Sequence, residues 1–339
     1  MVDASAIKKL SGYDLSGYSL MGSDLSSAQL KEAKLRGANL AGADLSRADL
    51  TQADLTGADL SGADLYQAKL AGAKLNGANL SHCDATSADF RGSEMLATDL
   101  HNAKLSDINL SGAKLNGANF VECDLSGADL SNSKLVGANF YLADLNRANL
   151  HNCKLFGATL NDAKLRNVNL RSADMTATKL KGADIQEADL AQVKLANADL
   201  SNAILTNANL EGAGMRLSTL NGANLRNAIL SAGNISNSRL NRADLSNASL
   251  EESNLWASRV SGSIFTETNM KATNLMATGL NKKFALSEFP NIAHSDQTLW
   301  DDENHKWQRQ RRQMSSSHAK KIETEVAKKS FFSRIFSNR

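Results

Sequence analysis

Residues 38–62 read ANLAG ADLSR ADLTQ ADLTG ADLSG, which is one five-residue unit written five times in succession. Steps of five from Leu10 to Leu280 meet 55 positions, and every one of them is apolar. Leucine occupies 43 of these positions, so the register does not slip anywhere in the span. Such regularity predicts a repeat architecture in which each unit packs on its neighbours.

A second column lies two residues before each apolar position and consists mostly of alanine, with Asp, Asn or Lys between the two columns. A period of five fits neither regular element, because a helix would spread these residues around all its faces and a strand would alternate them. A short extended piece followed by a turn would point Leu and Ala inward in every unit. A narrow interior of this kind explains why the chain has few aromatic residues. Its one proline, Pro290, follows the repeat, since proline would remove a donor from a hydrogen-bonding ladder.

The unit resembles the A(D/N)LXX motif of the pentapeptide-repeat family over about residues 10–280. The resemblance implies an all-β solenoid, a right-handed quadrilateral β-helix with four units in each coil. The units would then make about 13–14 coils, stacked over a length on the order of 65 Å. It also implies a bacterial source.

Both ends of the repeat are expected to differ from its middle. Tyr13 and Tyr18 replace alanine, so residues 1–22 are predicted to form a distorted N-terminal cap. Serine and threonine replace alanine in the inner column from Ser253 onward, so the last coils are expected to be less regular. Residues 281–307 contain enough apolar side chains to cap the last coil.

The remaining segment, residues 308–339, is predicted to be a basic linker followed by an amphipathic helix within residues 318–339. A short basic amphipathic helix can bind an anionic membrane surface or the groove of a partner protein. A tail that is disordered or docked on its own chain is the alternative. The residues that would make these contacts are Ile322, Val326, Lys328, Lys329, Phe332, Arg334 and Phe336.

The sequence contains no recognisable catalytic, metal-binding or cofactor-binding motif. Cys83, Cys123 and Cys153 all fall in the inner alanine column, where a small buried side chain is expected. His82, His101 and His151 are expected on outward positions of different faces. We therefore predict no catalytic residue, no metal site, no cofactor and no enzymatic activity.

Charge is distributed unevenly along the chain and around the predicted coil. Residues 1–280 carry 26 basic and 29 acidic residues, whereas residues 281–339 carry 12 basic and 7 acidic residues. One predicted face stacks aspartates, and the opposite face is rich in lysine. The aspartates are Asp24, Asp44, Asp64, Asp84, Asp124, Asp144 and Asp184. The lysines are Lys34, Lys74, Lys114, Lys134, Lys154 and Lys194.

The family includes regulators of DNA gyrase that resemble DNA in shape and charge, which makes a topoisomerase regulator one alternative function. A nearly neutral repeat with a lysine face is a poor DNA mimic, and direct binding to nucleic acid is not expected either.

A group of outward apolar residues is predicted to gather near the middle of the repeat. Exposed apolar clusters mark contact sites more often than scattered apolar residues do. We call the following residues the apolar patch: Leu96, Val121, Val136, Tyr141, Leu142 and Phe156.

The favoured function is a non-catalytic scaffold or regulator that binds a protein partner, with dimerisation through a β-helix end as a further expectation. The alternatives are the gyrase regulator and a secreted or membrane-associated effector that is targeted by the basic tail. The N-terminus lacks a signal-peptide core and no transmembrane span is predicted, so a cytoplasmic protein is expected. Peripheral membrane binding or non-classical secretion is the alternative location.

Overall fold

The structure is a computed structural model that describes residues 8–281 and the short pieces 285–286, 292–294, 298 and 300. The chain divides into two compact units, Met1–Asp184 and Ile185–Arg339. Within each unit the β-structure consists of one-residue parallel bridges separated by two-residue turns, rather than long strands. Residues 285 and 286 are helical, and Ala293 forms a parallel bridge with Asn269.

Bridges join residues that lie between the two inner columns, and within the repeat each pairs with the residue 20 positions later in the chain. In the first unit Asp14 pairs with Lys34, Ser19 with Asn39, and so on in steps of five. In the second unit the same spacing runs from Asp189↔Asn209 to Asn254↔Asn274. Four five-residue units therefore make one coil, as the family resemblance implies, and within each unit of the chain the coils stack in parallel.

The interior consists of the two columns that the sequence defines. Leucines from Leu25 onward and the alanines two residues before them are almost completely buried. Bulkier side chains occupy a few of these positions, including Phe120 and Phe140, whose rings stack 4.7 Å apart with a 1° interplanar angle. Each coil thus buries its apolar side chains against its two neighbours, which makes stability nearly one-dimensional.

The backbone N–H groups of one unit, residues 43–47, show how stacking satisfies the chain. Asp44 N–H donates to the preceding coil at Ser23 O (3.0 Å), and Leu45 N–H donates to the following coil at Asp64 O (2.7 Å). Ala43 N–H closes the turn within its own coil. Proline at any ladder position would leave a buried carbonyl without its donor, which explains why the repeat excludes it.

The turn of each unit depends on its polar residues. Asp44 Oδ1 accepts the N–H of Ser46 at 2.9 Å and its hydroxyl at 2.6 Å, an Asx turn that recurs around the coil. The last residue of the unit, Arg47, has a left-handed backbone with φ of 57°. Glycine adopts that conformation without steric cost, which accounts for its frequent appearance at this position.

The first coil differs from the prediction. Tyr13 N–H and Tyr18 N–H close the same turns as later units do, at 3.1 and 3.2 Å, so residues 8–22 follow the regular pattern. Both tyrosines are 60% exposed, because no coil precedes them among the described residues. The distortion expected over residues 1–22 is therefore not seen from residue 8 onward.

The serine-rich and threonine-rich coils are also more regular than expected. Ser258, Ser263 and Thr268 are buried, and their hydroxyls donate to leucine or isoleucine carbonyls of the preceding coil at 2.6 to 2.8 Å. A buried hydroxyl is tolerated when it is hydrogen-bonded, so these residues preserve the coil. The predicted capping role of residues 281–307 rests largely on residues outside the described set.

Candidate interaction surface

The apolar patch lies within the first unit, at the outward corners of neighbouring coils. Phe156 is 52% exposed, and Leu96, Val136, Tyr141 and Leu142 are 40–43% exposed. The sixth member, Val121, is half-buried.

Two rims of the apolar patch border one flat face of the β-helix. Val136 and Phe156 lie on one corner in successive coils, linked through the Gly137 N–H, which donates to Phe156 O at 3.0 Å. Val121 and Tyr141 lie on the next corner, linked by the Glu122 N–H, which donates to Tyr141 O at 3.0 Å. The apolar patch therefore spans a face rather than a single edge.

Few side chains protrude from the face between the two rims. Gly137 has nothing within 4 Å of where a Cβ would stand, so the corner beside Val136 is open. The middle of the face carries the half-buried side chains of Asn119 and Asn139. A flat surface with apolar edges suits contact with another flat surface more than it suits enclosure of a small molecule.

Lysines flank the patch on the Val136 side. Lys114, Lys134 and Lys154 stack in consecutive coils through parallel bridges. Lys114 Nζ pairs with Glu94 Oε1 at 2.7 Å, whereas neither Lys134 nor Lys154 forms an ion pair with any described residue. Lysine therefore occupies three successive positions on this edge of the patch, between Glu94 and Asp174 in the same column.

The face predicted to be acidic is interrupted by lysine. Parallel bridges place Lys104 between Asp84 and Asp124, and Lys164 between Asp144 and Asp184. Lys164 Nζ lies 3.4 Å from Asp144 Oδ2, which partly neutralises the column. The seven aspartates share one column as predicted, but that column also includes two lysines, so the face is less acidic than the aspartates alone suggest.

A family model for pentapeptide repeats, with 8 copies, matches residues 23–62, 123–162, 153–192, 183–222, 216–247 and 243–278. A second model, for a pentapeptide repeat region, matches residues 63–140. The chain belongs to the pentapeptide-repeat family. Its fold is accordingly the right-handed quadrilateral β-helix, and the resemblance seen in the sequence is confirmed.

Solved structures of other pentapeptide-repeat proteins are similar to this one. HetL, involved in heterocyst differentiation regulation in the cyanobacterium Nostoc, shares 30% identity over 70% of this chain and 90% of its own, with a TM-score of 0.28. Full-length QnrB1, a plasmid-mediated fluoroquinolone resistance protein, shares 18% identity over 55% of this chain and 86% of its own, with a TM-score of 0.30.

A pentapeptide repeat protein from the thylakoid lumen of Arabidopsis thaliana shares 19% identity over 40% of this chain and 88% of its own, with a TM-score of 0.25. A comparison with curated proteins finds no match.

The cysteines of this pentapeptide-repeat chain are buried free thiols. Burial raises the pKa of Cys123 to about 12 and the pKa of Cys153 to about 11, and it raises the pKa of Cys83 further still. The Cys123 thiol donates to Leu100 O, at 2.9 Å. Thiols held protonated in this way act as small core residues rather than as nucleophiles.

Two histidines expected on different faces lie side by side. The ring centroids of His82 and His101 are 4.9 Å apart in an edge-to-face arrangement, and His101 Nδ1 lies 3.0 Å from Asp99 Oδ1. The expectation of different faces was wrong, because position 82 stacks on position 102 and position 101 adjoins it, so the 20-residue register places both histidines on one corner. The described residues nevertheless contain no group of three or more potential metal ligands.

Some exposed apolar residues escaped the sequence reasoning. Leu217, Ile229 and Ile264 are 44–49% exposed in the second unit. The five-residue register places Trp256 outward as well, and its side chain is 42% exposed. Their outward positions were readable from the five-residue register.

All candidate residues of the tail helix, Ile322 to Phe336, lie outside the described residues. Within the described part of the chain, no helix has the length and apolar character needed to cross a membrane.

Proposed function

We propose that this chain is a non-catalytic interaction scaffold and that the apolar patch of its first unit binds a protein partner. The observation that supports the proposal is the pairing of apolar side chains at two neighbouring corners across one flat face. A contact spanning this face would bury Phe156 and Tyr141 together, and large aromatic side chains of this kind dominate binding energy at protein interfaces.

The lysines beside the patch indicate which chemical groups a partner surface should carry. Lys134 and Lys154 lie beside Val136 and Phe156 without a described acidic partner, so a complementary surface would combine apolar side chains with carboxylates at its edge. Charge complementarity at a rim mainly accelerates association and excludes wrong partners. We therefore infer a partner with an apolar contact region bordered by Asp or Glu.

The chemistry available on the coil supports a non-catalytic role. The inner thiols are held protonated by burial, and the outward side chains are spread on a regular lattice of corners. A catalytic site needs convergent groups in a water-excluding hollow, and the flat face beside the apolar patch does not provide one.

The gyrase-regulator alternative receives less support because Lys104 and Lys164 break the acidic column. A DNA mimic would need that column to present carboxylates in regular succession. A supercoiling assay tests this alternative directly: inhibition of gyrase or protection from a fluoroquinolone would favour it over the scaffold.

Membrane binding by the basic tail is tested by comparing liposome binding of the full chain and a 1–317 truncation.

The scaffold is tested by charge substitution at the centre of the patch. Tyr141→Glu combined with Phe156→Glu should abolish capture of the partner, since each buries a carboxylate in the interface. Tyr66→Glu is the matched control, because Tyr66 is an aromatic residue of the same unit, 38% exposed, on a corner outside the patch.

The partner captured by the unsubstituted chain is then purified, and its affinity for each variant is measured by calorimetry. At least a tenfold loss, ~1.4 kcal/mol, is expected for the double variant and no change for Tyr66→Glu. Equal affinity for all three proteins would refute the assignment of the patch.

A further inference from the structure

The second unit carries a surface cleft of about 670 Å³ along one corner of the β-helix. Four successive coils contribute to it, from Ser201 to Ser261. Asn202, Gly222 and Arg242 occupy the same corner position in three consecutive coils. Gly222 has no side chain, so the Asn202 amide can lie over it; a Cβ at Gly222 would come within 2.5 Å of Asn202 Oδ1.

Arginines accumulate around this cleft in an unusual position of the repeat. The residue between the two inner columns is arginine at Arg239 and Arg259 and nowhere else from Lys9 to Gly279. The two arginines stack through a parallel bridge, and Arg259 and Arg242 both line the cleft. In the described residues, none of these three guanidinium groups has an ion pair, and no carboxylate lines the cleft.

Asparagine side chains add further donors. Asn221 Oδ1 accepts the Asn241 N–H at 3.0 Å, and Asn241 Oδ1 accepts the Ser261 N–H at 3.2 Å. These bonds orient each side-chain amide so that its oxygen serves the backbone and its NH₂ group remains for the cleft.

The same bonds compensate for the arginines. An Asp or Asn between the inner columns normally caps the turn of its own unit, which Arg239 and Arg259 cannot do. Asn221 and Asn241 supply the missing caps from the preceding coil. The fold is thereby preserved where the cleft presents two guanidinium groups and the NH₂ groups of Asn221 and Asn241. The rest of its polar lining consists of the Asn202 amide and the hydroxyls of Ser201 and Ser261.

We propose that this cleft binds the phosphate group of a small molecule. Phosphate oxygens are acceptors only, and the planar guanidinium fork can donate two parallel hydrogen bonds to them. A volume of about 670 Å³ falls within the usual range for small-molecule sites and leaves room for more than a single phosphate. The site is separate from the apolar patch and does not depend on the scaffold function.

The proposal is tested by calorimetric titration of the full chain with pyrophosphate and, separately, with ADP at fixed ionic strength. Binding of both anions assigns the site to polyphosphate groups in general, and binding of ADP alone assigns it to a larger phosphate-bearing molecule. Arg242→Ala combined with Arg259→Ala should weaken binding at least about tenfold, because each charge-assisted hydrogen bond contributes that much or more.

Asn221→Asp provides a second variant that does not disturb the fold. The new carboxylate keeps an oxygen for the Asn241 N–H but replaces the donor with a negative charge, so binding should be lost. Arg226→Ala is the control, because Arg226 Nη1 pairs with Asp244 Oδ2 at 3.4 Å outside the cleft. The proposal is overturned if neither anion binds at millimolar concentration. Affinity that is unchanged in the Asn221→Asp and double arginine variants would overturn it as well.

Discussion

The hydrogen bond from Val136 N–H to Asn116 Oδ1, 3.1 Å long, makes the turn-capping rule of this β-helix testable. In most units the Asp or Asn between the inner columns caps its own turn, but this unit has Lys134 there. Asn116, one coil earlier, supplies the acceptor instead. Asn116→Ala should leave the Val136 N–H without an acceptor among the described residues.

The magnitude follows from the exposure of the site. A net intramolecular hydrogen bond contributes about 0.5–1.5 kcal/mol, and water can replace part of it because Val136 is 40% exposed. We expect a loss of about 1 kcal/mol, which corresponds to roughly a fivefold change in a local opening equilibrium. Lys134→Asn should restore that loss, since the new side chain can form the Asx turn itself.

Hydrogen exchange at the Val136 amide is the appropriate assay, because repeat proteins open locally as well as globally. Exchange should accelerate about fivefold in Asn116→Ala and return to the original rate in the double variant with Lys134→Asn. Asn116→Asp, which keeps an acceptor, is the control and should exchange normally. Unchanged exchange in Asn116→Ala, or no rescue by Lys134→Asn, would refute the rule.

Three further predictions concern the core, the turns and the thiols. Phe120→Leu and Phe140→Leu should each lower the free energy of unfolding of the first unit. In a double-mutant cycle measured by chemical denaturation, the double variant should lose about 1 kcal/mol less than the sum of the two single losses, because the rings stack on each other. Burial alone would raise the pKa of Asp54, but hydrogen bonds from the Thr56 hydroxyl and N–H outweigh burial and lower the pKa. Its stabilisation should therefore be complete above about pH 4 and fade as pH falls through the folded pKa. Asp54→Asn should flatten that acid dependence in a pH series of melts, and an unchanged slope would contradict the assignment. Finally, the three buried thiols should resist iodoacetamide in the native protein and react on unfolding, as mass spectrometry can measure.

The periodic features of this protein were accessible from its sequence because they follow from one constraint. A ladder with 20 residues per coil requires an apolar residue at every fifth position and a small one two residues earlier. The absence of proline and the scarcity of aromatic residues have the same origin. The exposed members of the apolar patch, such as Phe156 and Tyr141, could also be placed by counting, since outward positions recur in the same register.

The irregular features needed the structure, because they depend on which substitutions compensate one another. Ser258 and Thr268 were expected to make the last coils less regular, yet the hydroxyl of each donates to a carbonyl of the preceding coil. Tyr13 was expected to distort the first coil, but it protrudes from a regular turn where no described coil covers it. In both cases a stacked neighbour, or its absence, decides the outcome.

The sequence by itself determined the coil, its inner columns and the side of the coil on which each residue lies. The tertiary structure decided which outward side chains make contact, such as the rings of His82 and His101. It also decided which amides cap the turn of a unit in the next coil, as Asn221 does for the unit that contains Arg239. The physical reason is that the apolar interior imposes one strict period along the chain, whereas contacts on the surface depend on which particular side chains neighbouring coils bring together. The donor-lined cleft of the second unit arises from such contacts.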